Sequence, residues 1–169
     1  MAKRLKTKIG DIFSVPISET EKRYMQLIAF DLTQLNSDVI RAFKKIYFIN
    51  ENPTLEEIIE NDIFFYAHCV TKFGIKLNLW EFVGSIQKIG DISKILFRGS
   101  RDSGHKKGEE PVRISEDWYV WKINDENFTR VGKLEGENRE SEIGLVVNPY
   151  DILDRMKTGK YNFFYPDFE

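Results

Sequence analysis

Residues 11–17 read Asp-Ile-Phe-Ser-Val-Pro-Ile, and they predict the first strand of a β-sheet. Every second side chain from Phe13 to Ile17 is apolar, which is the period of a strand. Because Pro16 cannot donate a hydrogen bond to a neighbouring strand, we expect this strand to lie at a sheet edge or to end there. A second apolar run at residues 24–32 follows a charged turn, so the two segments are expected to pair as a hairpin.

Three more apolar runs follow in the first half of the chain. Residues 39–49 have helical spacing at their start and strand spacing at their end, so we predict a mixed segment. Residues 63–73 are rich in β-prone side chains and stop at Gly74. Residues 75–82 alternate between apolar and polar side chains, which predicts a strand that pairs with the preceding run or bends into it.

Two helices are predicted from their capping residues. Thr54 and Glu57 have the spacing of a capping box, so a short helix is expected after Thr54. Asn148 followed by Pro149 has the composition of a helix start, and Gly159 is suited to the helix end. We therefore expect the best-defined helix of the chain near its C-terminus.

The second half of the chain alternates between loops and short strands. Residues 98–110 are rich in glycine and charge and predict a loop, whereas residues 118–123 predict a strand. Residues 135–142 form a polar, acidic loop, and residues 143–147 predict another short strand. The tail at 161–168 contains five aromatic residues, which is typical of a segment packed on the domain surface.

The predicted fold class is α+β. We expect a bent, mainly antiparallel β-sheet with a few short helices, one of them near the C-terminus, and an SH3-like or barrel-like arrangement as an alternative. A length of 169 residues fits a single domain over residues 1–169. Residues 1–8, which contain four basic side chains, are expected to be a frayed terminus.

Composition excludes several classes of protein. The hydrophobic fraction of 41% and charged fraction of 31% are those of a globular chain rather than a disordered one. A formal net charge of -2 disfavours a strongly basic nucleic-acid binder, so direct nucleic-acid binding is not expected. No apolar run approaches the roughly 20 residues of a membrane span, and no signal peptide is recognisable. We therefore expect a cytoplasmic protein with no membrane partner.

Charge is distributed unevenly along the chain. Residues 1–50 contain nine basic and five acidic side chains, whereas residues 109–142 contain ten acidic and five basic ones. If these regions remain apart in the fold, the surface has a dipole that can steer a charged partner. Ordinary solvated loops are the alternative interpretation of the same pattern.

The sequence offers no recognisable catalytic, metal or cofactor site. His68 and Cys69 are neighbours in a predicted strand, so their side chains point to opposite faces and cannot form a catalytic dyad with each other. The chain has one cysteine and two histidines, and their spacing matches no zinc motif. The glycines of residues 98–110 match neither of the common phosphate-binding motifs. We expect no catalytic residue, no metal and no cofactor.

The opening segment resembles the start of proteins of the immunity protein 26 family. The resemblance is carried by residues 8–17, Lys-Ile-Gly-Asp-Ile-Phe-Ser-Val-Pro-Ile, by the aromatic Tyr24 in the second strand, and by Trp80 with Gly84. The bacterial proteins of this family look like neutralisers of polymorphic or contact-delivered toxins. The resemblance implies a non-enzymatic immunity protein that binds and neutralises a cognate toxin domain.

If the toxin is a nuclease, acidic side chains of residues 109–142 can take the place of nucleic-acid phosphates. Trp118 and Trp121 are three positions apart in a predicted strand, so we expect one of them to be partly exposed and Trp118 to serve as an interface anchor. The alternative interpretation is that both edges of this strand are covered. The predicted partner contacts are Glu109, Glu110, Glu116, Asp117, Trp118, Glu135, Glu137, Glu140 and Glu142.

Two alternative functions remain open. The opening strand is also similar to that of toxin ribonucleases of the small SH3-like barrel class, which implies a small hydrolase or ribonuclease-like enzyme. The formal charge of -2 and the acidic second part of the chain argue against RNA cleavage. A generic protein-binding module with an unrelated partner is the third hypothesis.

Overall fold

A computed structural model describes residues 5–169 and has the predicted α+β fold class. The described residues form two mostly antiparallel sheets and three short α-helices. The first sheet contains β1 (Asp11–Pro16), β2 (Glu21–Asp31), β3 (Ser37–Phe43), β4 (Tyr47–Phe48), β5 (Ile63–Cys69) and β6 (Glu81–Ser85). The second contains β7 (Leu96–Ser100), β8 (Trp118–Lys122), β9 (Thr129–Gly132) and β10 (Glu142–Ile143). The α-helices are α1 (Leu55–Ile59), α2 (Thr71–Lys76) and α3 (Pro149–Thr158).

The first sheet is built around the predicted hairpin. Strands β1 and β2 pair in antiparallel register from Ile12 opposite Gln26 to Pro16 opposite Lys22. The strand order is β5-β3-β2-β1-β6, with β4 beside the start of β2. Strand β1 is therefore not at an edge, but it does end at Pro16, two residues after its last pairing with β6 at Ser14. The missing N–H of proline thus costs this sheet no hydrogen bond.

The helical expectation for the start of residues 39–49 is wrong, because this segment is β3. Strand β3 lies between β2 and β5, and all seven of its residues are buried. A strand covered on both faces has no need for apolar and polar side chains to alternate. Its run of apolar residues is consequently hard to distinguish from a buried helix by spacing alone.

The predicted strand at residues 75–82 is also wrong. Helix α2 includes Gly74 and Ile75, and the next strand, β6, begins only at Glu81. Trp80 is buried against Gly74, so closely that a Cβ at position 74 would lie 1.9 Å from the indole ring. Tertiary packing between α2 and Trp80 therefore overrides the alternating pattern.

Helices α1 and α3 confirm the predictions from capping residues. The Thr54 hydroxyl oxygen accepts a hydrogen bond from the Glu57 N–H, and the Glu57 carboxylate accepts one from the Thr54 N–H, which completes the capping box. Asn148 caps α3 by accepting from the Asp151 N–H, and Gly159 ends the helix with a φ of 86°. That left-handed conformation favours glycine, because it costs other residues steric strain. Within residues 5–169, none of the helices has the length and apolar character to cross a membrane.

The two sheets are joined by residues 144–147. Strand β10 pairs in parallel with β7, and the Gly144 N–H donates to the Arg98 carbonyl oxygen at 2.9 Å. Farther along, the Val147 N–H donates to the His68 carbonyl oxygen of β5, also at 2.9 Å. The predicted strand at residues 143–147 is therefore realised as β10 and a single bridge from Val146 to His68. This segment closes the gap between β5 and β7.

Buried apolar side chains fill both sides of the first sheet. One cluster, which includes Phe13, Met25 and Phe65, packs against Ile152 and Met156 of α3. A second cluster lies between the sheets. Its side chains come from β2, from β3 and from the second sheet with the residue before β7, and they are Ile28, Ala29, Val39, Ile95, Phe97 and Trp121. The second sheet thus covers the face of β2 and β3 that α3 does not.

The aromatic tail packs on the domain, as its composition predicts, with Tyr161 and Phe163 against the first apolar cluster and its end on the second sheet. The rings of Tyr165 and Phe168 lie 6.2 and 6.5 Å from the ring of Trp118. Trp118 and Trp121 are both buried, with relative exposures of 0% and 2%. The expectation that one of these tryptophans is exposed is therefore wrong, because the tail covers one face of β8 and the first sheet covers the other.

The start of the chain contacts helix α2 and strand β1. The hydroxyls of Thr7 and Thr71 are hydrogen-bonded at 2.8 Å, and the Lys8 N–H donates to the Asp11 carboxylate at 2.9 Å. Thr7 and Lys8, which belong to the terminus that was expected to fray, are therefore hydrogen-bonded to the rest of the fold. Residues 1–4 of that expectation lie outside the described part of the chain.

Candidate functional site

The candidate site that contains predicted partner contacts is a groove of about 530 Å³ between β5 and the second sheet, called here the inter-sheet groove. One wall consists of residues 63–66 of β5, and the opposite wall includes residues 94–96 before and within β7. Three of the predicted partner contacts line this groove, namely Glu137, Glu140 and Glu142. The structure thus brings together three acids of the predicted contact set.

The three acids are not equivalent. Glu137 and Glu140 are exposed on the short 3₁₀ helix Gly136–Glu140, where they are accessible to a partner. Glu142 is half-buried and forms a bidentate ion pair with Arg155, with N–O distances of 2.7 and 3.1 Å. Because Glu142 already has a partner within the chain, Glu137 and Glu140 are the acids available at the groove rim.

Other predicted contacts lie elsewhere and have partners within the chain. Glu116 forms an ion pair with Lys133 at 3.2 Å, and Asp117 receives two hydrogen bonds from the Arg130 guanidinium at 2.8 and 3.0 Å. These two pairs flank the start of β8. Exposed ion pairs of this kind contribute little to stability and can be exchanged for intermolecular ones.

The remaining members of the predicted set differ in accessibility. Glu109, Glu110 and Glu135 are exposed loop residues, and the Glu109 carboxylate accepts a hydrogen bond from the Lys106 N–H. Trp118 is fully buried beneath the tail, so its side chain is not accessible to a partner as an anchor. The aromatic side chains that do line the inter-sheet groove are Phe64, Phe65 and Tyr66.

A buried polar network at the junction of the sheets was missed by sequence reasoning. The Asp31 carboxylate accepts from the His68 Nε2–H at 2.8 Å and from the Trp121 Nε1–H at 2.9 Å. Its other oxygen accepts from the backbone N–H groups of Thr33 at 3.0 Å and Asn124 at 2.9 Å. Asp31 and His68 are completely buried. This network ties β2 and β5 to the second sheet.

The hydrogen bonds of Asp31 control its ionisation. Burial raises the pKa of Asp31, but hydrogen bonds from His68, Asn124 and Trp121 outweigh burial and lower that pKa from 3.8 to about 2. Because the folded pKa lies below the unfolded one, ionised Asp31 stabilises the fold at all pH values above about 4. This contribution is lost as the pH falls from about 4 towards 2.

We therefore predict that the Asp31 carboxyl titrates near pH 2 in the folded protein. The measurement is the ¹³C chemical shift of its side-chain carboxyl carbon as a function of pH. A titration of Asp31 near pH 4 would mean that the four donors do not hold the carboxylate as described.

Cys69 and His68, the residues considered for nucleophilic catalysis, have structural roles. Cys69 is completely buried, and burial together with the negative charge of Asp38 raises the pKa of its thiol, so the reactive thiolate is disfavoured. The His68 imidazole is hydrogen-bonded to the Asp31 carboxylate. In the described part of the chain, no group of three or more His, Cys, Asp or Glu side chains is placed to hold a metal ion.

The residues that carry the family resemblance have structural roles. Phe13 and Val15 lie in the first apolar cluster, and Trp80 covers Gly74. Gly84 packs so closely on Leu55 that a Cβ there would lie 2.9 Å from its side chain. The segment therefore specifies the hairpin and its packing rather than a surface.

Comparisons of the chain with models of protein families, with curated proteins and with solved structures find no match. The functional hypothesis accordingly depends on the opening segment, which forms β1, and on the surface groove.

Proposed function

We propose that this chain is a non-enzymatic immunity protein that binds and neutralises a bacterial toxin domain through the inter-sheet groove. The observation that carries the proposal is the composition of the groove, in which exposed Glu137 and Glu140 stand beside Phe64 and Tyr66. Protein interfaces typically combine aromatic contact area with a charged rim. The similarity of residues 8–17 to the immunity protein 26 family adds the class of partner.

The groove is lined by two exposed lysines, Lys94 and Lys122, as well as by acids, and it is the side formed by Glu137 and Glu140 that favours a basic partner surface. Glu137 and Glu140 are accessible carboxylates, and a nuclease active site is a surface that attracts the phosphates of nucleic acid. Carboxylates placed over such a site compete with phosphate for the same basic side chains. A nuclease toxin is therefore the partner that best fits these acids, and the cytoplasm is the compartment where such a toxin acts.

The enzymatic alternative requires convergent polar groups in an open site. The clearest chain of hydroxyl and carboxyl groups runs from Ser100 to Ser115 at 2.7 Å and from Ser115 to Asp102 at 2.8 Å. Both serines are nearly fully buried, and the Asp102 N–H also donates to the Ser100 hydroxyl. We interpret this chain as the support of the loop that follows β7, which favours the binding function.

Reversing the charge of the groove rim is expected to slow association with the toxin. In the double variant E137K/E140K, we expect the association rate constant to fall at least about tenfold at low ionic strength, because electrostatic steering is reversed. The difference should shrink as salt is raised and the charges are screened. The measurement is stopped-flow or surface-plasmon kinetics with the toxin domain encoded beside this chain's gene.

The matched control is E19K/E56K, which makes the same change in net charge at two exposed acids outside the groove. We expect this control to change the rate much less than E137K/E140K does. Equal rates for the two double variants would assign the effect to net charge and remove the groove from the proposal.

The proposal as a whole is tested by the complex itself. We expect purified protein to form a stoichiometric complex with the neighbouring toxin domain and to abolish its toxicity when the two are produced together. Absence of a complex, combined with turnover of RNA or small esters by the purified protein, would replace the immunity function with the enzymatic one.

A further inference from the structure

A second, smaller cleft lies where the end of α3 meets β7 and β10. Its volume is about 150 Å³, and its polar lining consists of Arg98, Glu142, Arg155, Lys160 and Tyr161. At about 30 Å³ per water molecule, this volume holds roughly five waters, which is room for a small ion but not for a nucleoside. The cleft is distinct from the inter-sheet groove, although Glu142 lines both.

Positive charge exceeds negative charge in this cleft. Three cationic side chains line it, and the one lining carboxylate, Glu142, is engaged by Arg155 in the bidentate ion pair. The negative charge of the Asp167 carboxylate also raises the pKa of Arg98. Burial lowers the pKa of Arg98, since desolvation disfavours the charged form. A buried guanidinium of this kind gains from an additional negative charge close to it.

Two hydrogen-bond donors at the cleft lack acceptors. The Arg98 Nε–H and the Tyr161 O–H are buried and have no acceptor among the described residues, while the Tyr161 oxygen faces the Arg155 guanidinium, which can donate to it. The Arg98 guanidinium is otherwise fixed, because its Nη1 donates to the Ser141 carbonyl oxygen and its plane lies near the ring of Trp118. Unpartnered buried donors are uncommon in folded proteins and indicate a missing acceptor.

We propose that this cleft binds a small oxyanion, and that inorganic phosphate is the form that fits it best. Guanidinium groups and hydroxyls are suited to oxyanions because they present several donors to oxygens that accept from several directions. Tetrahedral phosphate can accept from Arg98 and Tyr161 inside the cleft while the exposed Lys160 ammonium closes on it from outside. The inference is independent of the toxin-binding function.

The test is titration of the purified protein with inorganic phosphate at constant ionic strength, followed by calorimetry and by the NMR signal of the Arg98 Nε–H. We expect saturable binding and a shift of that signal. In Y161F, which keeps the ring but removes the hydroxyl, and in K160A, affinity should fall at least about fivefold. K157A is the matched control, because Lys157 is an exposed lysine one turn earlier that does not line the cleft.

Parallel titration with phosphoserine separates free phosphate from a phosphorylated side chain. Binding of either one, weakened in Y161F and K160A but not in K157A, supports the oxyanion site and names its source. Equal affinity in all variants would mean an adventitious ion only. If neither ligand binds at concentrations up to ~10 mM, the proposal is overturned. Circular dichroism confirms that each variant is folded, and K160A alone suffices if Y161F is not.

Discussion

Replacing Asp31 with asparagine is expected to lower the free energy of unfolding by about 3–5 kcal/mol, the range for breaking a buried charged pair. The carboxylate accepts from four donors, two side-chain N–H groups of His68 and Trp121 and two backbone N–H groups of Thr33 and Asn124. An amide has only one oxygen, so its NH₂ group would face donors rather than acceptors. The measurement is urea unfolding at pH 7.

The control for this prediction is the same substitution at Asp91. Asp91 is exposed and accepts hydrogen bonds from the Ser93 N–H and hydroxyl at the start of a 3₁₀ helix. Asparagine caps helices about as well as aspartate, so D91N should change stability by less than about 0.5 kcal/mol. If D31N were no more destabilising than D91N, the network at the sheet junction would contribute no more than a surface cap.

Gly74→Ala is the second substitution for which we expect a large effect, and its sign is informative. Within a helix, alanine is normally favoured over glycine by about 1 kcal/mol. At position 74 the new Cβ would lie 1.9 Å from the ring of Trp80, which is buried and donates its Nε1–H to the Thr71 carbonyl oxygen. Because the ring cannot move without losing this bond and its packing, we expect a loss of about 3 kcal/mol or more.

Tryptophan fluorescence during urea unfolding, to which Trp80, Trp118 and Trp121 all contribute, measures this loss. Gly104→Ala is the matched control, because a Cβ at position 104 would meet nothing within 4 Å. We expect G104A to change the free energy of unfolding by no more than about 0.5 kcal/mol. A stabilised G74A would show that helix propensity, not contact with the indole, determines the outcome at this position.

Local chemical signals were sufficient to predict several elements. The capping box at Thr54 and the Asn148-Pro149 start of α3 depend on residues three or four positions apart, so they can be recognised without knowing the fold. The hairpin of β1 and β2 has the same property, since a short turn connects the two strands. The α+β fold class follows from such elements.

Elements defined by distant contacts could not be predicted in the same way. Helix α2 depends on the packing of Trp80 on Gly74, and β3 depends on burial between two other strands. The Asp31 network joins residues from three strands, of which Trp121 is 90 positions away from the carboxylate. The residues that neighbour Asp31 in the sequence give no indication of those partners.

The candidate site shows the same division. The acidic composition of residues 109–142 was evident, but which acids share a surface depends on where the chain turns. The structure places Glu137 and Glu140 at the inter-sheet groove, whereas it pairs Asp117 with Arg130. Trp118 was misjudged because strand periodicity cannot reveal that a tail some 45 residues later covers it.

The two sheets that residues 144–147 join are synthesised one after the other. The first sheet draws its strands from residues 11–85 and the second from residues 96–143, so a ribosome delivers them one after the other. Until the second sheet arrives, the face of β2 and β3 bearing Ile28 and Val39 has no cover. The nascent chain therefore passes through an interval in which this apolar sheet face is exposed, and the speed of translation between residues 85 and 147 sets the length of that interval.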